Sequence, residues 1–204
     1  MKRSRHDFLL IFFCALILAL AAVAQARPQT SSAKAASGTG KSANANDPPV
    51  IDLAGYNHVL AKYKGRPLLV TFWATWCEPC RDEFPMIVEL EKQYAPQGLA
   101  VFGVDMDDDA EMNLVRHFLA RNQPHFPNYR QKPGIDVDAF YQGVNPAWTG
   151  TMPETVFYGR DGHLIGHFVG AHSRADFEQA IQMILSSPPA SESPKQTSAP
   201  PAKK

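Results

Sequence analysis

Cys77 and Cys80, in the stretch Trp76-Cys77-Glu78-Pro79-Cys80, constrain this chain more than any other feature. The only other cysteine, Cys14, lies inside an apolar N-terminal segment. Residues three apart on a helix face each other, so two thiols at this spacing can close a small disulfide ring. The flanks fix the setting. Leu68 to Trp73 is a short aliphatic and aromatic run that predicts a buried strand, and Asp82 to Tyr94 has helical spacing. A CxxC at a strand-to-helix junction reads as a redox motif. There the first thiolate meets the positive end of the helix dipole, which lowers its pKa and makes it the attacking sulfur. The other reading, half of a zinc site, needs a second paired cluster of Cys or His. No second CxxC exists in the sequence. His163 and His167 fall on a predicted strand, where four residues span about 13 Å, too far for one metal. No metal site is expected.

Both ends of the 204-residue chain read as structureless, which leaves one domain. Lys2, Arg3 and Arg5 precede an uninterrupted apolar run of 17 residues, Phe8 to Ala24, followed by a signal-peptidase pattern, Ala24-Gln25-Ala26. Seventeen residues is also near the lower limit for a membrane span. Residues 1–26 are therefore read as a signal peptide or an N-terminal anchor through residues 8–24. In either case the basic flank stays in the cytoplasm and the rest crosses the membrane. Cys14 sits mid-run without the small residues of a lipoprotein site, so lipidation is not expected. Residues 27–49, rich in Ala, Ser, Gly, Lys and Asn, read as a disordered linker, and residues 186–204, with five prolines, as a disordered tail. The domain spans 50–185.

The formal net charge of zero hides a split. Residues 50–187 carry 11 basic and 17 acidic side chains, whereas the flanks 27–49 and 186–204 each carry +2. An acidic domain argues against nucleic acid as a partner.

Within the domain, Tyr56 to Tyr63 predicts a short helix, stopped by Gly65 and Pro67. Strand 68–73 leads into a helix from Pro79 to Tyr94, with Pro85 expected to kink it. Leu99 to Val104 predicts a second buried strand. Asp107, Asp108 and Asp109 read as the solvated start of a helix running to Arg121; the EF-hand spacing of a calcium loop is missing. His125 to Tyr129 predicts a short strand and Asp136 to Tyr141 a short helix. Thr155–Tyr158 and His163–Val169 flank a hairpin turn, Gly159-Arg160-Asp161-Gly162. Ser173 caps a last helix with Phe177, Ile181, Ile184 and Leu185 inward. The order gives an α/β domain: a mixed sheet with helices on both faces.

That order, with Phe72-Trp73-Ala74-Thr75-Trp76-Cys77-Glu78-Pro79-Cys80 on the first long strand–helix junction, resembles the thioredoxin superfamily. Within it the chain is similar to the TlpA/ResA-like extracytoplasmic thiol-disulfide oxidoreductases. Cys77 to Pro85 matches the subgroup pattern of CxPC followed by Glu-x-Pro. Met152-Pro153-Glu154-Thr155-Val156-Phe157 stands where the superfamily carries its cis-proline. The stretch 106–150 is longer than a plain thioredoxin needs, as expected for the subgroup's central insertion. Two departures stand out. Thr71 occupies the position of thioredoxin's buried Asp, and the segment 142–150, containing Trp148, lengthens the link into Pro153.

The resemblance implies a thioredoxin-like fold and a catalytic set of Cys77, Cys80 and Glu83. Cys77 is the nucleophile, Cys80 resolves the mixed disulfide, and Glu83, on the same helical face as Cys80, sets cysteine acidity. Trp76, Met152 and Pro153 are expected to bind substrate, with Trp73 as packing. No cofactor is expected. The implied activity is reduction of disulfides in exported proteins, such as apocytochrome c or metallochaperone cysteines, with electrons from a membrane thiol transporter. Two other readings stay open: a disulfide-donating oxidase, and a copper chaperone using Cys77, Cys80 and a histidine such as His125 or His172.

Overall fold

The computed structural model describes residues 47–189; the readings made for 1–26, for most of 27–49 and for 190–204 lie outside them. The elements run β1 (Val50–Ile51), α1 (Leu53–Lys62), β2 (Leu68–Trp73), α2 (Glu78–Tyr94), β3 (Ala100–Asp105), α3 (Met112–Asn122), β4 (Asn128–Gln131), α4 (Val137–Val144), β5 (Glu154–Tyr158), β6 (Leu164–Val169) and α5 (Arg174–Leu185). Six strands form one sheet in the order β1-β4-β3-β2-β5-β6. The β1–β4, β4–β3 and β3–β2 pairs are parallel, while β5 runs antiparallel to both β2 and β6.

Every residue of β2 and β3 is buried. Strands covered on both faces carry apolar side chains without alternation, which is why both were legible as continuous runs. The faces are assigned by aromatic contacts. Phe72 packs on Tyr56 of α1, Phe140 of α4 and Trp148. Its neighbour Trp73 points the other way, to Phe84 of α2 and Phe118 of α3, and Phe157 of β5 meets Phe177 of α5 on that same side. Each fully buried aromatic contributes roughly 2–3 kcal/mol through burial, so these two layers dominate the core.

Several boundaries differ from the sequence reading, each for a local reason. Helix α1 starts at Leu53 rather than Tyr56, because Asp52 caps it by accepting from Gly55 N–H at 2.9 Å. Strand β4 begins at Asn128 rather than His125. Pro127 has no N–H to give a ladder, though its carbonyl accepts from Gly103 N–H at 3.0 Å. Helix α4 continues past Tyr141 to Val144; Gly143 in its last turn lies so close to Leu53 of α1 that a Cβ would collide. Helix α2 runs as one element through Pro85. Strand β1 was not foreseen. Its ladder continues into Pro49, whose carbonyl accepts from Arg130 N–H at 2.9 Å, and Asp47 pairs with Arg116 at 2.6 Å, so residues 47–49 are bound to the domain.

The three aspartates are the clearest correction. Only two of them stand at a solvated helix start: Asp108 and Asp109 are exposed, at the 3-10 turn that leads into α3. Asp107 is buried, and Asp108 precedes a 3-10 turn, Asp109–Glu111, without a side-chain capping bond. Asp109 instead bonds Arg130 of β4.

Candidate active site

Strand β2 ends at Trp73 and the chain turns through Ala74, Thr75 and Trp76 into α2. Cys77 is the N-cap of that helix, with extended backbone, and its Sγ accepts from Cys80 N–H at 3.3 Å. The N-cap position exists to satisfy first-turn N–H groups, and here sulfur does so in place of the usual oxygen. Cys77 and Cys80 are joined as a disulfide with Cα atoms 5.3 Å apart. Both cysteines are buried, Cys77, at 6% exposed, slightly less so than Cys80, at 2%. Trp76, immediately before it, is 62% exposed and forms the rim. Trp73 is buried as packing, its indole N–H donating to Asn128 Oδ1 at 3.1 Å.

Glu83 lies one turn beyond Cys80 on α2 and is buried. Its Oε2 accepts from the backbone N–H of His172, in the loop before α5, at 3.1 Å. One donor does not offset desolvation, and burial pushes the Glu83 carboxyl up to about 7. The His172 ring stacks on Phe168 of β6 with centroids 4.1 Å apart, which fixes the loop that supplies this donor.

The Met152–Pro153 peptide bond is cis. Glu154 pairs with Phe72 in the β2–β5 ladder, so Pro153 enters the sheet at the end from which the Cys77 turn departs. Pro153 is buried, Met152 half-buried, and the Pro153 carbonyl accepts from Gly170 N–H at 2.8 Å.

The sequence profile of the AhpC/TSA family matches residues 40–167, well over half of the chain. The chain belongs to the AhpC/TSA family. Two relatives narrow the placing within this thioredoxin-like family. The thiol-disulfide oxidoreductase ResA of Geobacillus thermodenitrificans is 30% identical over 142 residues, which cover 70% of this chain and 76% of that one. The thioredoxin-like protein YneN of Bacillus subtilis is 32% identical over 132 residues, 64% of this chain and 72% of that one. Among solved structures, a thiol:disulfide interchange protein of the thioredoxin family from Chlorobium tepidum superposes with a TM-score of 0.54 at 25% identity. That match covers 71% of this chain and all of that one. The AhpC/TSA chain described here is thus a ResA-type thiol-disulfide oxidoreductase.

The structure also gathers residues that the sequence reading passed over. On the α1/α4 side, Glu154 is fully buried. Its Oε1 accepts from Asn145 Nδ2 at 2.9 Å and lies 3.2 Å from His167 Nδ1. Burial raises the Glu154 carboxyl, opposed by the bonds from Asn145 and His167. The 145–151 loop is fixed further by Trp148, whose indole N–H donates to Thr151 O at 2.9 Å while its ring packs on Phe72 and Tyr141. Gly150 is required there: its φ is +89° and a Cβ would meet the Tyr141 ring at 2.7 Å. Beside the α2 N-terminus, a cleft of about 600 Å³ is lined by Arg81, Asp82, Pro85, Phe118, Arg121 and Asn122. Of the histidines named for copper, His172 lies beside Glu83 and His125 is exposed. Among the described residues no helix is long and apolar enough to cross a membrane.

Proposed function

We propose that this chain reduces disulfides of exported proteins outside the cytoplasm. Cys77 thiolate attacks one sulfur of the substrate disulfide, forming a mixed disulfide and releasing one substrate thiolate. Cys80 thiolate then attacks Cys77 Sγ. That breaks the mixed disulfide, releases the second substrate thiolate and leaves Cys77–Cys80 oxidised. The two electrons are restored by a membrane thiol transporter. Glu83 accepts the Cys80 proton, for which a carboxyl held near 7 is suited. Trp76 packs against the substrate and the backbone of Met152, before Pro153, pairs with its extended chain.

The observation that carries this reading is the placement of Cys77 as sulfur cap of α2, slightly the less buried of the pair, one turn from Cys80 and two from Glu83. A helix N-terminus stabilises the thiolate of its capping cysteine, which makes that sulfur the attacker. The extracytoplasmic setting is supported by the basic start, the apolar run 8–24 and the Ala-Gln-Ala pattern. Substrates such as apocytochrome c or metallochaperone cysteines suit a surface that offers an exposed Trp76 beside the disulfide.

Trapping tests the roles. Cys77→Ser should abolish turnover of a protein disulfide, and Cys80→Ser should accumulate mixed disulfides on Cys77. Trapping on Cys80 in the Cys77 variant, with full turnover in the Cys80 variant, would reverse the assignment.

A further inference from the structure

Where β2 and β3 part, the hydrogen-bond ladder does not simply end. Met106 N–H donates to Trp73 O at 2.9 Å, the last backbone rung. The next donor on the β2 side is Thr75 N–H, and it finds Asp107 Oδ2 at 2.6 Å instead of a carbonyl. The Thr75 hydroxyl donates to the other carboxylate oxygen, Asp107 Oδ1, also at 2.6 Å. Arg81, from the first turn of α2, donates to Thr75 O at 3.0 Å. All three polar groups of Thr75 are therefore held, from two different elements. The turn itself is closed by Cys77 N–H to Ala74 O at 3.3 Å. Asp107 and Thr75 are 4% and 7% exposed, so water does not compete for these bonds.

Asp107 is itself fixed. Its backbone N–H donates to Asp105 Oδ1 at 3.2 Å. Asp105 ends β3 opposite Trp73, fully buried, and desolvation together with its neighbour Asp107 drives its carboxyl up to about 9. Asp105 is thus held neutral at physiological pH, while both oxygens of Asp107 are engaged as acceptors. Thr75 and Cys77 are two residues apart, at most about 7 Å along the backbone. With Asp107 Oδ2 2.6 Å from Thr75 N, the carboxylate lies within about 10 Å of the Cys77 backbone, and a like charge in a buried setting opposes ionisation of the sulfur.

We propose that Asp107 is a positioning residue for the thiol chemistry: by gripping Thr75 at both its N–H and its hydroxyl it fixes the turn presenting Trp76 and Cys77, and its charge biases the pair toward the disulfide. The second effect follows from linkage. A thiolate that is harder to form makes the dithiol less stable, and a less stable dithiol is a stronger reductant. The inference rests on the reading of Cys77 as the attacking sulfur, and its consequences for the thiol–disulfide equilibrium are measurable without any protein substrate.

The test uses the full chain with three substitutions. Thr75→Val keeps the backbone bond and the Asp107 charge but removes the hydroxyl donor; Thr75→Ser restores that donor. Asp107→Asn removes the charge and turns an amide N–H₂ toward one of the two donors. Two quantities are read at fixed pH, per folded molecule: the rate at which reduced Cys77 attacks a small disulfide, and the equilibrium constant of the pair against dithiothreitol. Expressed per Cys77 thiolate, so that easier ionisation in Asp107→Asn does not mask the lost grip, attack should fall about threefold in Thr75→Val and about tenfold or more in Asp107→Asn, with Thr75→Ser within about twofold of the parent. The equilibrium should move about threefold toward dithiol in Asp107→Asn and stay put in Thr75→Val. Parental rates in Thr75→Val and Asp107→Asn, or losses matched by the unfolded fraction alone, overturn the proposal. Should Asp107→Asn fail to fold, the Thr75→Val and Thr75→Ser pair decides the grip on the turn, and Asp107→Ser, read by the same dithiothreitol equilibrium, decides the charge. A parent that attacks small disulfides normally but reduces no protein substrate would count against the proposed function and leave this inference standing.

Discussion

Two buried glutamates flank the Cys77–Pro153 end of the sheet, one on each face, and their surroundings differ. Glu83, on the α2/α5 side, has a single neutral donor, the His172 N–H, and sits on the helix that carries both cysteines. Glu154, on the α1/α4 side, is gripped by Asn145 and His167 and anchors the loop into Pro153. A carboxyl with one weak partner in a dry place keeps its proton near neutrality and can exchange it. A carboxyl shared between an amide and an imidazole is a joint. The two positions teach that burial alone does not set what a buried acid is suited to; the number of its partners and the element that carries it matter as well.

The largest effect should come from breaking the joint. Glu154→Ala leaves Asn145 Nδ2 without its acceptor and His167 without its carboxylate neighbour, which should cost about 3 kcal/mol in urea unfolding. Glu154→Gln should leave the thiol titration where it is. A mild Glu154→Ala, or a shifted titration in Glu154→Gln, would erase the distinction between the two sites.

The pH dependence of stability sharpens it. The Glu83 carboxyl is raised in the folded state from its ordinary 4.5 to about 7, so between those values the unfolded chain binds fewer protons than the native one. Stability is therefore greatest below about pH 4.5 from this group and declines as pH rises to 7, by up to about 3 kcal/mol. Asp105, raised from 3.8 to about 9, extends the decline upward. Glu83→Gln should roughly halve the slope of the denaturant-midpoint profile between pH 4.5 and 7, and Asp105→Asn should remove the decline that continues from 7 to 9.

Kinetics should show the smaller changes. Glu83→Gln is expected to slow resolution of the mixed disulfide about tenfold and to move the thiol titration to lower pH, read by stopped-flow decay and thiolate absorbance. Trp76→Ala, at an exposed rim position, should raise KM severalfold while stability stays within about 0.5 kcal/mol of the parent.

Much of this was legible in the residues. Strands β2 and β3 announce themselves as unbroken apolar runs, α2 by its spacing after a CxxC, and α5 by its Ser173 cap. The pairs and joints were not. Asp107 looked like one of three solvated helix-start acids, because a sequence does not say which carboxylate a departing strand will turn inward. Glu154 stands between Pro153 and Thr155 with no local sign that Asn145 and His167 will close on it. Strand β1, two residues long, has no periodicity to read and exists because Arg130 and Lys132 of the neighbouring segment supply its partners. Long-range polar contacts are set by topology, and topology is what a linear pattern of apolar residues leaves open.

The claim on which the rest depends is that this dithiol gives electrons away. Equilibrating the purified chain with graded dithiothreitol or glutathione mixtures gives the reduction potential of Cys77–Cys80. A reductase should lie near thioredoxin's value, about −270 mV. A value near −120 mV, where the reduced form is strongly favoured, would mean that the pair donates disulfides and would contradict the proposed direction.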